Sequence, residues 1–171
     1  MTLSIIVAIA KNFAIGKNNQ LLYHLADDMK RFKEITTNHT VIMGKNTFMS
    51  LPKRPLANRR NIVLALANEI PDDKEGAEWV SSLNEAFDKC KNDEEVFVIG
   101  GASVYAQAYP FTDKIYLTIV DDEPQDADAF FPIINFNEWN SFDYKAFLPN
   151  KKNKKGFMFI TLSRKEKMEQ D

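Results

Sequence analysis

Two patterns of apolar and polar positions alternate along the chain. Leu3 to Ala10 (LSIIVAIA) is an almost unbroken apolar run rich in isoleucine and valine, the pattern of a strand buried on both faces. Similar runs fall at Thr40 to Met43, Asn61 to Leu66, Val96 to Ile99 and Lys114 to Val120. Segments with helical character separate them: Ala26 to Thr36, Asn46 to Leu51, Leu83 to Lys91 and Ala102 to Tyr109. The third opens with Ser81 or Ser82 as N-cap and Glu85 downstream, a capping-box arrangement. After Val120 the helical pattern stops. Phe142 to Phe147 and Gly156 to Ser163, joined across PNKKNKKG, read as an antiparallel hairpin. The expectation is an α/β fold: a mixed, mainly parallel central sheet flanked by helices, with a C-terminal antiparallel hairpin. No linker or repeat divides the chain, so one domain over residues 1–171 is expected, with a solvated tail from about residue 164.

Composition narrows the functional classes. The 171 residues are 44% hydrophobic and 27% charged, close to the globular average and far from a disordered composition. A formal net charge of -2 offers no global attraction to nucleic acid or to an anionic membrane, so any anion site must be built locally and the partners are expected to be small molecules, with the protein a monomer. Cys90 is the single cysteine and has no internal disulfide partner. There is no charged start followed by a long apolar run and no spanning stretch; cytoplasmic residence is the expectation.

Chemistry concentrates at two kinds of place. In the first, a strand runs into glycine and then into a helix: VIM into Gly44-Lys45-Asn46-Thr47, and VFVI into Gly100-Gly101-Ala102-Ser103. Unpaired amides at a helix start attract anions and glycine permits close approach, although a lone junction of this kind is more often a tight turn. Two of them suit a dinucleotide, with its phosphates across neighbouring strand ends. The second place is LLYHLADDMKRFK. If Ala26 starts a helix, Asp28 shares a face with Phe32, with Met29 beside them, while Asp27 faces Lys30 and Arg31 at i+3 and i+4. Spacing alone favours an acidic first turn over a catalytic carboxylate. His24, His39 and Cys90 lack metal-ligand spacing, so no metal is expected. GxSxG, HExxH and paired Cys/His nucleophile signatures are absent. The lysines from Lys151 to Lys155 read as a charged hairpin tip rather than a nucleic-acid contact.

The order of these segments resembles the dihydrofolate reductase family from Ser4 to about Ser163. The resemblance is carried by the first strand leading through Lys11-Asn12-Phe13-Ala14 into Ile15-Gly16, then LADDMKRFKEIT, VIMGKNTFMSLPKRPL, RRNIVL, VFVIGGASVY, IYLTIV and DADAFFP. It implies reduction of 7,8-dihydrofolate to tetrahydrofolate by NADPH, with hydride delivered to C6 and a proton to N5, in support of one-carbon metabolism and thymidylate synthesis. It makes Asp28 the carboxylate that holds the pterin, with Thr118 hydrogen-bonded behind it, and counts Tyr23 with these two as a catalytic residue. Ile6, Ala8, Leu21, Met29, Phe32, Leu51 and Leu56 would line the pterin and aminobenzoyl groups, and Arg59 would grip the substrate glutamate. Ala8 and Ile15 would offer backbone groups to the nicotinamide amide, Gly16 would join them in binding the cofactor, and Ile99 and Tyr105 would line the nicotinamide ring. Gly44, Lys45, Asn46 and Thr47, with Gly100, Gly101, Ala102, Ser103 and Val104, would hold the phosphates beside Leu64 and Ala65. Lys11 to Leu25 would be a mobile loop that closes over the nicotinamide.

Four departures from the family pattern stand out. Leu22-Tyr23 stands where Pro-Trp is usual, Ala65-Leu66 where a hydroxyl or basic residue often holds the 2′-phosphate, Ser103 at a position basic in some members, and Ala127 at a frequent glycine. Lys45 is left as the obvious charge for the 2′-phosphate. Rival readings are a reductase of another pterin, a pyrimidine reductase of riboflavin synthesis, and a catalytically silent nucleotide-binding module.

Overall fold

The structure is a computed structural model that describes residues 1–166; the remainder of the expected tail lies outside the described residues. The strands are β1 (Thr2–Ala10), β2 (Ala14–Lys17), β3 (Gln20–Leu21), β4 (Thr40–Gly44), β5 (Arg60–Leu64), β6 (Glu78–Val80), β7 (Glu95–Gly100), β8 (Lys114–Val120), β9 (Ala129–Phe130), β10 (Trp139–Phe147) and β11 (Phe157–Arg164). The α-helices are α1 (Ala26–Thr36), α2 (Lys45–Ser50), α3 (Leu83–Cys90) and α4 (Ala102–Ala108). Eight strands form the main sheet in the order β10-β11-β8-β1-β7-β4-β5-β6, and β3-β2-β9 form a small second sheet. Pairing is parallel from β8 through β1, β7, β4 and β5 to β6, whereas β11 runs antiparallel to both β8 and β10. The mixed sheet and its hairpin thus match the expectation.

Side-chain alternation assigns each face of the sheet its own helices. Leu3, Ile5, Val7 and Ile9 of β1 join Ile42, Ile62, Val96 and Val98 in a cluster with Leu83 and Ala86 of α3 and Val104, Tyr105 and Ala108 of α4. The alternate residues Ile6, Val41, Met43, Val63 and Phe97 pack with Phe48 of α2 and with Phe32 and Ile35 of α1. Helices therefore cover both faces, which is why the strands read as nearly continuous apolar runs. Ser82 caps α3 by accepting the Glu85 N–H at 3.1 Å, and the Glu85 carboxylate accepts the Ser81 N–H at 2.9 Å. Ser82, not Ser81, is the cap.

Two features were not foreseen in the sequence. β6 adds a short parallel edge strand beside β5. The segment from Lys11 to Leu25, expected as loop, contains β2 and β3 and is tied to residues 121–130. Its ties include Lys11 Nζ to Asp121 at 2.6 Å, Asn12 Nδ2 to the Pro124 carbonyl at 2.9 Å, the Asn18 N–H to Asp128 at 3.0 Å, and an ion pair between Lys17 and Asp126.

Candidate active site

Asp28 lies in the first turn of α1, over the sheet face that carries Ile6 and Thr118. The register pairs Ala8 with Thr118 and Ile6 with Tyr116 on neighbouring strands, so these four positions share one face. The Thr118 hydroxyl donates to Asp28 Oδ1 at 2.5 Å. Burial pushes the Asp28 carboxyl above its ordinary value, while the Thr118 hydrogen bond and the charge of Arg31 oppose the rise. Tyr105 is 5% exposed and donates to the Ile6 carbonyl at 2.9 Å. Its hydroxyl is pushed up by burial and then by the charge of Asp28, which places the two in one electrostatic neighbourhood.

The apolar residues assigned to the substrate converge in part. Ile6, Phe32, Leu51, Leu56 and Ile99 belong to one cluster on the α1 face of the sheet. Met29 (56% exposed) and Leu21 (69% exposed) lie outside it on the surface. Arg59 is held at the edge of this cluster: its Nε donates to the Ala57 carbonyl at 2.9 Å, its Nη1 donates to Thr36 Oγ1 at 3.1 Å, and its guanidinium lies 5.8 Å from the Phe32 ring centre. These bonds leave Nη2 without a partner among the described residues.

Two expectations about the flanking residues need correction. Asp27 does not pair with Lys30 or Arg31: its Oδ2 accepts from Asn153 Nδ2 at 2.7 Å, and Lys30 reaches Glu34 at 3.9 Å. Arg31 turns toward the site instead, with its guanidinium 4.3 Å from the Phe159 ring centre and its charge felt by Asp28. Tyr23 donates to Asp122 Oδ2 at 2.8 Å and packs beside Leu25, Val120 and Phe157, so its hydroxyl is engaged away from Asp28. A phenol reaches an acceptor on the neighbouring loop that the site itself does not supply.

The two glycine turns adjoin. β4 and β7 are parallel neighbours, with Met43 paired to Gly100, so Gly44 and Gly100-Gly101 leave the same carboxyl edge of the sheet. A Cβ on Gly44 would come within 3.3 Å of Val104 Cγ2, and one on Gly101 within 3.4 Å of Thr47 Oγ1. Gly100 has a φ of +129°, a backbone that L side chains rarely adopt. No acidic residue occupies the first turn of α2 or α4, and neither Gly44 nor Gly101 receives a side-chain cap. Lys45 is half-buried beside Gly44 and makes no ion pair among the described residues. Gly44 is in register with Leu64, so Ala65 lies one position beyond the same edge, and its N–H is spent on the Val80 carbonyl at 3.0 Å. Asn46 is exposed, Ala102 is half-buried, and Ser103 accepts from Gln107 Nε2 at 3.1 Å.

Of the nicotinamide-side residues, Ala8 lies in mid-strand and Ile15 is buried in the main core. The Ile15 carbonyl accepts the Leu22 N–H at 3.3 Å and the Gly16 carbonyl accepts the Asp128 N–H at 3.1 Å. A cleft of about 500 Å³ opens at the amino ends of β4, β5 and β7 near His39, Arg60 and Glu95. Ligands of open α/β sheets bind at the carboxyl edge, where Gly44 and Gly100 lie, so this cleft is not the site.

Comparison with known proteins agrees with the geometry. The family model described as Dihydrofolate reductase matches residues 2–164. The chain is 39% identical over 165 residues to a dihydrofolate reductase of Bacillus subtilis, covering 88% of this chain and 95% of that protein. It is 40% identical over 167 residues to that of Haemophilus influenzae, covering 96% and 100%. Among solved structures, a dihydrofolate reductase from Enterococcus faecalis complexed with NADP(H) and RAB-propyl superposes with a TM-score of 0.83 at 32% identity, covering 96% of this chain and 97% of that one.

Proposed function

The chain belongs to the dihydrofolate reductase family, and from that premise we propose that it reduces 7,8-dihydrofolate to tetrahydrofolate with NADPH, feeding one-carbon metabolism. The observation that carries this reading is the partly buried Asp28 carboxylate, anchored by Thr118 on the sheet face that carries Ile6 and Phe32.

The residues present fit a dinucleotide. The adjoining turns at Gly44 and Gly100-Gly101 offer uncapped first-turn amides in a cradle that side chains would fill, with Lys45 as the nearby cation. When bound, NADPH would supply the hydride. The remaining work falls to the chain. Asp28 would accept hydrogen bonds from the 2-amino group and adjacent ring nitrogen of the pterin, and its negative charge would favour a protonated ring. Thr118 fixes the carboxylate by occupying Oδ1, leaving Oδ2 for substrate. Phe32, Leu51, Leu56 and Ile6 would exclude water from the ring system, and Arg59 would hold the glutamate carboxylate with its unused guanidinium edge. Tyr105 closes the floor beneath Ile6.

The test is direct. Mixing the protein with NADPH and dihydrofolate should deplete NADPH absorbance in the near ultraviolet, and Asp28→Asn should slow that loss by about a hundredfold or more at neutral pH, the scale of lost acid-base assistance. Cofactor binding without turnover in the parent protein would leave a silent nucleotide-binding module as the better reading.

A further inference from the structure

The helix that carries Asp28 starts without a cap of its own. Leu25 occupies the N-cap position, offers no side-chain acceptor, and is buried against Val120, Phe157 and Phe159. An uncapped amide at a buried helix start is costly, and the usual remedy is a Ser, Thr, Asp or Asn at the cap itself. Here the acceptor comes from 127 positions away. Asn153, at the tip of the β10–β11 hairpin, accepts the Ala26 N–H on Oδ1 at 2.9 Å and donates from Nδ2 to Asp27 Oδ2 at 2.7 Å. Its side chain is therefore used at both ends, and the residue is 1% exposed in an otherwise solvated, lysine-rich turn. The turn holds it rigidly: the Asn153 N–H donates to Asn150 Oδ1 at 2.8 Å, the Asn150 N–H donates to the Asn153 carbonyl at 2.8 Å, and the Lys152 N–H shares Asn150 Oδ1 at 2.9 Å.

We propose that Asn153 is a positioning residue for the substrate carboxylate: by gripping Ala26 and Asp27 it fixes the start of α1, and so the placement of Asp28 against Thr118. This rests on Asp28 being the pterin-binding group. A cap confined to helix stability would have needed only a polar residue at position 25. Using Leu25 for packing and importing the cap makes the helix start depend on the hairpin. Asp28 is then located twice, through its backbone by Asn153 and through its side chain by Thr118. The same tip contacts the preceding loop, where Lys155 Nζ lies 3.5 Å from Asp122 Oδ1 and the Tyr23 hydroxyl occupies Oδ2.

Reciprocal substitution tests the claim. Asn153→Asp keeps an acceptor for the Ala26 N–H but sets a second carboxylate against Asp27. Asp27→Asn alone keeps an acceptor for Asn153 and should be mild. The double change, Asp27→Asn with Asn153→Asp, restores one donor and one acceptor with the roles exchanged. Dissociation constants for dihydrofolate and for NADPH would be measured by fluorescence titration, beside amide hydrogen exchange at residues 26–29. Asn153→Asp should weaken dihydrofolate by about tenfold or more while NADPH stays within about twofold, the scale of one lost hydrogen bond to a charged group. Exchange at residues 26–29 should quicken, and the double change should recover most of both losses. If Asn153→Asp does not fold, Asn153→Ser is read in its place. Unchanged dihydrofolate affinity, an equal loss for both ligands, or a double change no better than Asn153→Asp overturns the proposal. A parent protein that never binds dihydrofolate fails the functional reading instead, and hydrogen exchange still reports whether Asn153 holds the helix.

Discussion

Lys45 is the residue on which cofactor choice should turn. It flanks Gly44 without an ion-pair partner among the described residues, and the neighbouring edge at Ala65 and Leu66 presents no side-chain donor for a 2′-phosphate. A charge-assisted contact that remains partly solvated is worth roughly 1.5 to 3 kcal/mol, so Lys45→Ala should cut the preference for NADPH over NADH by about tenfold or more. Steady-state kinetics with both cofactors check this, and equal losses would remove Lys45 from the phosphate site. Arg59→Ala should act differently. The substrate glutamate is remote from the reacting bond, so its contact binds ground and transition states alike and KM should rise far more than kcat falls. A truncated pterin lacking glutamate should be almost indifferent to the change; an equal defect on both substrates would make Arg59 a structural residue that braces Thr36. At this scale the sequence was informative wherever neighbours along the chain decide the geometry. The inward face of Asp28 follows from helical spacing, and its link to Thr118 from resemblance. The partner of Asp27 did not, because a hairpin amide 126 positions away outcompetes the lysine and arginine on the same helix.

The strands and helices were legible in proportion to the length of their pattern. β8 and α1 have the bounds that their periodicity gives, and β1 was recognisable as central because it is apolar on both faces. β6 has three residues, and β2 and β3 have four and two, too few for an alternation to register. Their pairing is fixed by the tertiary neighbours β5 and β9. α3 offers a clean check on an element uninvolved in chemistry, since its Ser82 cap lies on the opposite face of the sheet from α1. Ser82→Ala should cost about 1 kcal/mol of stability, the usual worth of an N-cap, and leave kcat and KM unaltered. Urea melts beside steady-state assays read both quantities, and a change in KM for either ligand would show that α3 communicates with the site.

Across the whole molecule, the Asp28 carboxylate sets stability against function. Burial raises its folded-state value above that of the unfolded chain, and the Thr118 hydrogen bond and Arg31 only partly offset the effect. The sign follows from linkage. Between the unfolded and folded values the unfolded chain binds fewer protons, so stability falls as pH rises through that window, and the penalty is complete above the folded value. Asp28→Asn keeps the size and the oxygen that accepts from Thr118 but removes the charge. The asparagine protein should therefore melt at least as high as the parent at pH 7, and its advantage should shrink as acid protonates the parent carboxyl. Glu78 contributes in the opposite sense: the hydrogen-bonded Arg60 guanidinium holds its carboxyl below its ordinary value, so its contribution is present above the unfolded value and is lost as pH falls. Both proteins should share that loss, so it cancels in the comparison. Turnover should move the other way, with the asparagine enzyme slow at neutral pH and still gaining rate as pH falls where the parent has levelled, because protonated substrate then comes from solution. Thermal melts and pH–rate profiles on the same two proteins measure both sides. A lower melting temperature for Asp28→Asn at pH 7 would mean that the carboxylate is a structural ion-pair partner of Arg31, and a parallel pair of pH–rate profiles would remove it from the proton chemistry.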